Sequence, residues 1–78
     1  MHFPSREQIA ALQRQYPRGT KVELLGMDDP QAPPTGTMGE ILGVDDAGQL
    51  LVRWETGSSL SLIPGVDFFR IVRKGGKG

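Results

Sequence analysis

The stretch Leu50–Leu62, LLVRWETGSSLSL, decides how the rest of the chain is interpreted. Its apolar residues alternate with polar ones on both sides of residues 55–57, the pattern of two antiparallel strands joined by a tight turn. Trp54, the only tryptophan of the chain, ends the first run in phase with Leu50 and Val52. The alternation therefore predicts a core tryptophan, although an indole at the end of a strand can still present its N–H at the rim.

The same period of two recurs along most of the chain. It predicts five strands, over residues 20–26, 38–44, 49–55, 58–63 and 69–72. Short glycine-containing turns separate the middle strands, and one long loop follows the first strand. This arrangement is typical of a five-stranded SH3-like small barrel. Its predicted interior consists of Val22, Leu24, Ile41, Val44, Leu50, Val52, Trp54, Leu60, Leu62, Phe69 and Ile71.

Residues 5–16, SREQIAALQRQY, predict one N-terminal α-helix before the barrel. Ser5 and Gln8 have the spacing of a capping box, and Pro17 disfavours helical geometry at the residue before it. One apolar stripe is formed by Ile9, Leu12 and Tyr16. A helix of this length is marginal alone in water, so we expect it to dock on the barrel.

The 78 residues predict a single domain, with a helix at 5–16, a barrel at 20–72 and a flexible basic tail at 73–78. The chain has no cysteine, which excludes a disulfide. It has no apolar run near the roughly 18 residues that span a bilayer, and its start, MHFPSREQ, lacks a signal-peptide core. These features favour a cytoplasmic protein with no membrane partner.

The net charge of zero conceals an asymmetry. Residues 70–78 hold four bases and no acid, whereas residues 1–69 hold five bases and nine acids, a net charge of −4. Affinity for duplex DNA comes largely from basic groups that displace counterions from phosphates. The acidic body therefore does not favour nucleic acid as the partner.

No arrangement of residues is typical of catalysis. His2 is the only histidine, and the serines at 58, 59 and 61 have no evident general base. The pairs Asp28-Asp29 and Asp45-Asp46 lack the spacing of a calcium loop, so we expect these aspartates to accept hydrogen bonds from turn amides. The sequence predicts a protein that is not an enzyme and holds no metal or cofactor.

The loop 27–37, MDDPQAPPTGT, is the first candidate binding surface. Its three prolines stiffen it, and a preorganised loop lowers the ordering cost of binding. The alternative is that the prolines only keep a long loop from fraying. Phe68 should point outward, where it either packs under the helix, as we expect, or forms an exposed apolar contact. The predicted protein-binding residues are Met27, Asp28, Asp29, Pro30, Gln31, Pro33, Trp54 and Phe68.

A nucleic-acid-binding accessory domain is the alternative function. It would use basic residues on the outer face of adjacent strands and on the tail, namely Arg53, Arg70, Arg73 and Lys74. A short glycine-rich basic terminus is more often only a solvated end. The sequence therefore favours a protein partner.

Residues 16–72 resemble an uncharacterised family of small bacterial domains carried on phages, plasmids and integrative elements. The shared frame is G-T-x-G-x-(V/I), V-D-D-x-G, V-x-W-x-x-G-S, L-x-x-G-x-D and F-R, after an M-D-D-P-x-A-P-P loop. The resemblance implies an SH3-like barrel and no established activity. It also implies a protein-binding module of a mobile element. The sharpest form of this hypothesis is an inhibitor of a host defence nuclease, because an acidic surface can occupy a basic nucleic-acid channel.

Overall fold

The computed structural model describes residues 4–72, which form one helix and a four-stranded antiparallel sheet. The elements are α1 (Arg6–Gln15), β1 (Lys21–Gly26), β2 (Met38–Val44), β3 (Leu50–Trp54) and β4 (Phe68–Ile71). The order across the sheet is β3-β2-β1-β4, so the first and last strands pair. The described part is mainly β, as the alternation predicts, but the sheet is open.

Helix α1 begins at the predicted capping box. The Ser5 hydroxyl oxygen accepts from the Gln8 amide at 3.1 Å, and Gln8 Oε1 accepts from the Ser5 amide at 2.8 Å. The helix packs against β2 and the turn that follows it. A Cβ on Gly48 in that turn would lie 2.9 Å from Pro4 Cγ and 3.6 Å from Leu12 Cδ1. Because Gly48 has no side chain, Pro4 and Leu12 can approach this turn closely, and the helix docks there.

Two aspartates act as turn acceptors, as expected. Asp45 Oδ1 accepts from the amides of Ala47 at 3.0 Å and Gln49 at 2.9 Å, which closes the β2–β3 turn. Asp29 Oδ1 accepts from the Gln31 amide at 2.8 Å in the long loop. An aspartate that accepts from backbone amides two to four residues ahead fixes a tight turn. These side chains therefore shape the connections on either side of β2.

The core consists of seven buried apolar side chains, all of which belong to the predicted interior: Val22, Leu24, Ile41, Leu50, Val52, Trp54 and Leu62. Three other predicted members are half-buried, namely Val44, Leu60 and Phe69. The prediction for Ile71 is wrong, because its side chain is 41% exposed. Ile71 lies on the edge strand β4, and α1 covers β2 rather than β4.

The fifth strand predicted after the β3 turn is reduced to a single bridge, so the five-stranded prediction is wrong. Leu50 and Leu62 exchange both backbone hydrogen bonds, at 2.8 and 2.9 Å. In this register Leu60 would be opposite Val52 in the next rung of the ladder. The Leu60 carbonyl instead accepts from the Trp54 indole Nε1–H at 2.8 Å. The Leu60 amide donates to Ser58 Oγ at 3.3 Å, so the backbone of Leu60 forms no ladder hydrogen bond with β3.

Candidate functional site

The antiparallel topology divides the molecule into two ends. One end of the sheet is formed by the end of β1, the start of β2, the end of β3 and the start of β4. We call this end of the sheet, with the connections 27–37 and 55–59 and with Asp67, the residue before β4, the loop end. Helix α1 and the β2–β3 turn lie at the opposite end of the sheet, which we call the helix end.

The predicted binding loop, residues 27–37, lies at the loop end and is only partly accessible. Met27 packs against the core, and Pro33 is buried. The remaining predicted loop residues are exposed: Asp28, Asp29, Pro30 and Gln31. The loop returns along β1, where the Leu24 carbonyl accepts from the Gly36 amide at 2.7 Å. Its tip therefore presents two carboxylates on a backbone anchored at both ends.

Trp54 is a core residue, as its alternation predicts, with only 2% of its surface exposed. Its indole N–H is engaged inside the protein by the Leu60 carbonyl. The ring packs directly on β2, since a Cβ added to Gly39 would lie 2.7 Å from Trp54 Cε3 and 2.6 Å from Val52 Cγ1. Trp54 therefore packs inside the protein below the loop end and contributes almost no exposed surface to it.

Phe68 is 70% exposed, so the expectation that it packs under the helix is wrong. It opens β4 opposite Gly26, at the end of the sheet far from α1. A Cβ on Gly26 would lie 3.6 Å from Phe68 Cδ2, which shows that one edge of the ring rests on the backbone of β1. Leu25 and Val66 are exposed and lie one residue from Gly26 and two residues from Phe68 in the sequence, respectively; we call Leu25, Val66 and Phe68 the apolar rim.

The connecting residues of the loop end are acidic. The connections 27–37 and 55–59 and residue 67 contain four carboxylates and no lysine or arginine; the acids are Asp28, Asp29, Glu55 and Asp67. Asp67 Oδ2 accepts from the Ile63 amide at 2.8 Å, which closes the turn that leads to Phe68. Helix α1, the connection 16–20 and the β2–β3 turn carry three bases and three acids, namely Arg6, Arg14, Arg18, Glu7, Asp45 and Asp46. Negative charge is therefore concentrated around the apolar rim.

The outer face of the sheet carries ion pairs. Lys21 Nζ and an Arg53 guanidinium nitrogen lie 3.2 and 3.1 Å from the same oxygen of Glu40, Oε1. The hydrogen bond from Lys21, followed by that from Arg53, holds the pKa of the Glu40 carboxyl below its ordinary value. On the neighbouring strands an Arg70 guanidinium nitrogen lies 2.6 Å from Glu23 Oε1. These three cations are thus bound to carboxylates of the same face.

The predicted nucleic-acid residues do not form a patch on adjacent strands. Arg53 lies on β3 and Arg70 on β4, which are the two opposite edges of the sheet. Three strand spacings separate them, or about 14 Å. Both are engaged by glutamates. Arg73 and Lys74 lie outside the described residues.

An open groove of about 540 Å³ crosses the same face. It is lined by Lys21, Met38, Gly39, Glu40, Arg53, Trp54, Glu55 and Val72. Sequence reasoning missed this groove because it depends on the register of three strands. The one sequence feature that pointed to the groove is that Lys21, Glu40 and Arg53 occupy outward-facing positions of their strands, and their charges alternate in sign across the sheet.

Residues 5–72 match the model of a family described as a domain of unknown function, DUF4314. The chain belongs to this family. Membership of an uncharacterised domain family, predicted from the motif frame, is thereby confirmed. No curated protein and no solved structure matches the chain.

The described part of this DUF4314 domain presents the apolar rim, the acidic connections of the loop end and the groove. Across residues 4–72, no group of three or more histidine, aspartate or glutamate side chains is placed to hold a metal ion. Over the same residues, no helix has the length and apolar character needed to cross a membrane.

Proposed function

We propose that this domain is a non-enzymatic protein-binding module whose loop end engages a basic surface of its partner. The observation that carries the proposal is the position of Phe68, which is 70% exposed at an end whose connecting residues hold four carboxylates and no base. An exposed apolar patch rimmed by polar residues is typical of an interaction site. Aromatic side chains that enter a partner's pocket commonly supply most of the binding energy.

The energetics of the loop end support this assignment. Burial of a phenylalanine side chain contributes about 1.5–3 kcal/mol relative to leaving it in water. Phe68 rests on the backbone of Gly26, and its turn is closed by Asp67, so less conformational freedom is lost on binding. Asp28 and Asp29 add charges that complement a basic partner and oppose an acidic one.

The more specific proposal concerns the origin of the partner. The motif frame suggests a module carried by mobile genetic elements, whose partner is a host or element protein. A defence nuclease fits this role, because the acidic loop end would occupy a basic nucleic-acid channel and block it. Inhibition of such a nuclease by the purified domain, relieved by the change Phe68→Ser, is the corresponding activity test.

We also propose that the sheet is SH3-like in arrangement. The order β3-β2-β1-β4, with the Leu50–Leu62 bridge on the outer side of β3, supports this arrangement. In an SH3-like topology the last strand pairs with the first, as β4 pairs with β1 here. A crystal structure that shows another strand order would overturn this assignment.

The function is tested by affinity capture from a lysate of the host bacterium, followed by a binding measurement with the purified partner. We expect Phe68→Ser to weaken binding at least tenfold, since loss of a buried aromatic anchor typically costs 2 kcal/mol or more. Leu42→Ser is the matched control, because Leu42 is also exposed, at 41%, but lies on β2 away from the apolar rim. Thermal melting checks that both variants fold.

Two outcomes would contradict the proposal. One is equal loss of binding in Phe68→Ser and Leu42→Ser, which would remove the special role of the loop end. The other is a gel shift with DNA or RNA that weakens steeply with salt and disappears when Arg73 and Lys74 are changed to glutamate. That result would support the nucleic-acid alternative.

A further inference from the structure

We propose that the groove on the outer face of the sheet binds a basic side chain, a lysine or an arginine, of the partner protein. The aliphatic stem would lie on Met38 and Val72, and the cationic end would meet Glu55. The inference rests on the proposed function for the source of this side chain, and it gives the chemistry of a second subsite beside the apolar rim. At about 540 Å³, the groove is large enough for one such side chain.

The strand register builds the walls of the groove. Glu40 lies opposite Lys21 on β1 and opposite Arg53 on β3, so these three side chains form one wall across the sheet. Met38 and Glu55 form the other wall, where the Glu55 amide donates to the Met38 carbonyl at 2.9 Å.

The space between the walls is open because of the alternation of side chains. Val22, Gly39 and Trp54 lie between the two rows, and the two side chains among them face the core. The backbone of Gly39 is therefore the floor. Val72, whose amide donates to the Lys21 carbonyl at 2.8 Å, continues the Lys21 wall beyond β1.

Charge decides which kind of side chain fits. Lys21 and Arg53 are both held by Glu40 Oε1, so the positive wall is already neutralised in part. Glu55 is exposed and makes no ion pair with any residue in the range 4–72. It also belongs to the loop end, whose connecting residues carry four carboxylates and no base. A cation at the Glu55 wall is therefore favoured over an anion.

The shape of a basic side chain matches the rest of the lining. Lysine and arginine bury their methylene stems on apolar surface while the charged end stays in water. Met38 supplies a flexible apolar contact, and Val72 supplies a branched one on the opposite side of the groove. An acidic or purely apolar side chain would use only part of this lining.

The test is a titration of the full chain with single capped amino acids, followed by NMR of the Met38 and Val72 methyl groups. The probes are Nα-acetyl-lysine methylamide, the corresponding norleucine compound, which lacks the charge, and the glutamate compound. We expect saturable shifts with the lysine probe and about two- to fivefold weaker binding of the norleucine probe, the range of an exposed ion pair. Glu55→Gln should remove this preference, whereas Glu7→Gln, on the exposed surface of α1, should not.

The inference is overturned if the glutamate probe binds more tightly than the lysine probe, if no probe gives saturable shifts, or if Glu55→Gln and Glu7→Gln behave alike. It is also overturned if changing Arg73 and Lys74 to alanine raises the lysine affinity, because the chain's own bases would then be the occupants. The two proposals fail separately. Lysine binding that persists in a protein whose Phe68→Ser change has no effect on its partner would refute the function and retain the groove.

Discussion

The substitution Gly39→Ala is the most direct test of how this domain packs its tryptophan. The added Cβ would lie 2.6 Å from Val52 Cγ1, 2.7 Å from Trp54 Cε3 and 3.0 Å from Trp54 Cζ3. Carbon atoms in contact prefer separations of about 3.5–4.0 Å, so each of these distances is shorter by roughly 0.5–1.4 Å. Neither neighbour can move easily, since Val52 is branched at Cβ and the indole is tied to Leu60.

The expected cost follows from these contacts. Overpacking of a well-packed core typically costs about 1–3 kcal/mol. Reduced freedom of the unfolded chain returns about 0.4–1 kcal/mol when glycine is replaced by alanine. At the midpoints of these two ranges the net loss is about 1.3 kcal/mol, which for a domain of this size lowers the melting temperature by roughly 5–10 °C. A chain of 78 residues has a total stability of only about 4–12 kcal/mol, so the change is easily measured.

The same strand supplies the matched control. Gly43 has no atom within 4 Å of its virtual Cβ and no positive φ, so Gly43→Ala introduces a methyl group into open space. Thermal melting by circular dichroism and urea unfolding by tryptophan fluorescence should show Gly43→Ala at or above the wild-type stability. If Gly39→Ala melts as high as Gly43→Ala, the indole does not pack on the β2 backbone and the arrangement of the core described above is wrong.

Three further predictions concern single interactions. Ser5→Ala removes half of the capping box and should cost about 1 kcal/mol in urea unfolding; an unchanged midpoint would contradict the cap. Trp54→Phe removes the donor to the Leu60 carbonyl and should cost about 1–3 kcal/mol, whereas an equally stable variant would show that this hydrogen bond is dispensable. Because the pKa of Glu40 is lowered by folding, its ionised form stabilises the fold. Glu40→Gln should therefore melt below the wild type above about pH 4.5, and the gap should close as the pH falls through the lowered pKa. A gap that does not narrow at all on acidification would assign the stabilisation to another cause.

The period of two was sufficient to predict the four strands and the seven buried side chains, because side chains on a half-buried strand must alternate. The capping box and the helical stripe were sufficient to predict the helix. The period of two failed where a side chain competes with the backbone. Residues 58–63 alternate as well as any strand, but the carbonyl and the amide of Leu60 bond to the side chains of Trp54 and Ser58 instead of to β3. Alternation also failed at Ile71, because a sequence pattern shows which face a residue occupies and not whether another element covers it.

The candidate site was predictable only in its local parts. The long loop and its carboxylates were evident from composition, and the outward phase of Phe68 followed from its neighbour Phe69. The sequence did not show at which end of the sheet α1 docks. Because α1 docks at the helix end, it does not cover Phe68, which stays exposed. The groove required the pairing of residues up to 51 positions apart, as in Lys21 and Val72, which a single sequence does not show.

The carboxylates concentrated at the loop end give the described part of the molecule an electric dipole along the strand direction, with its negative pole at Phe68. In the field of a positively charged partner, such a dipole experiences a torque before any contact is made. The domain would therefore approach its partner with the Phe68 ring turned toward it, and a larger fraction of encounters would have the orientation that leads to binding. The rate of association, more than the lifetime of the complex, is the quantity that added salt should reduce.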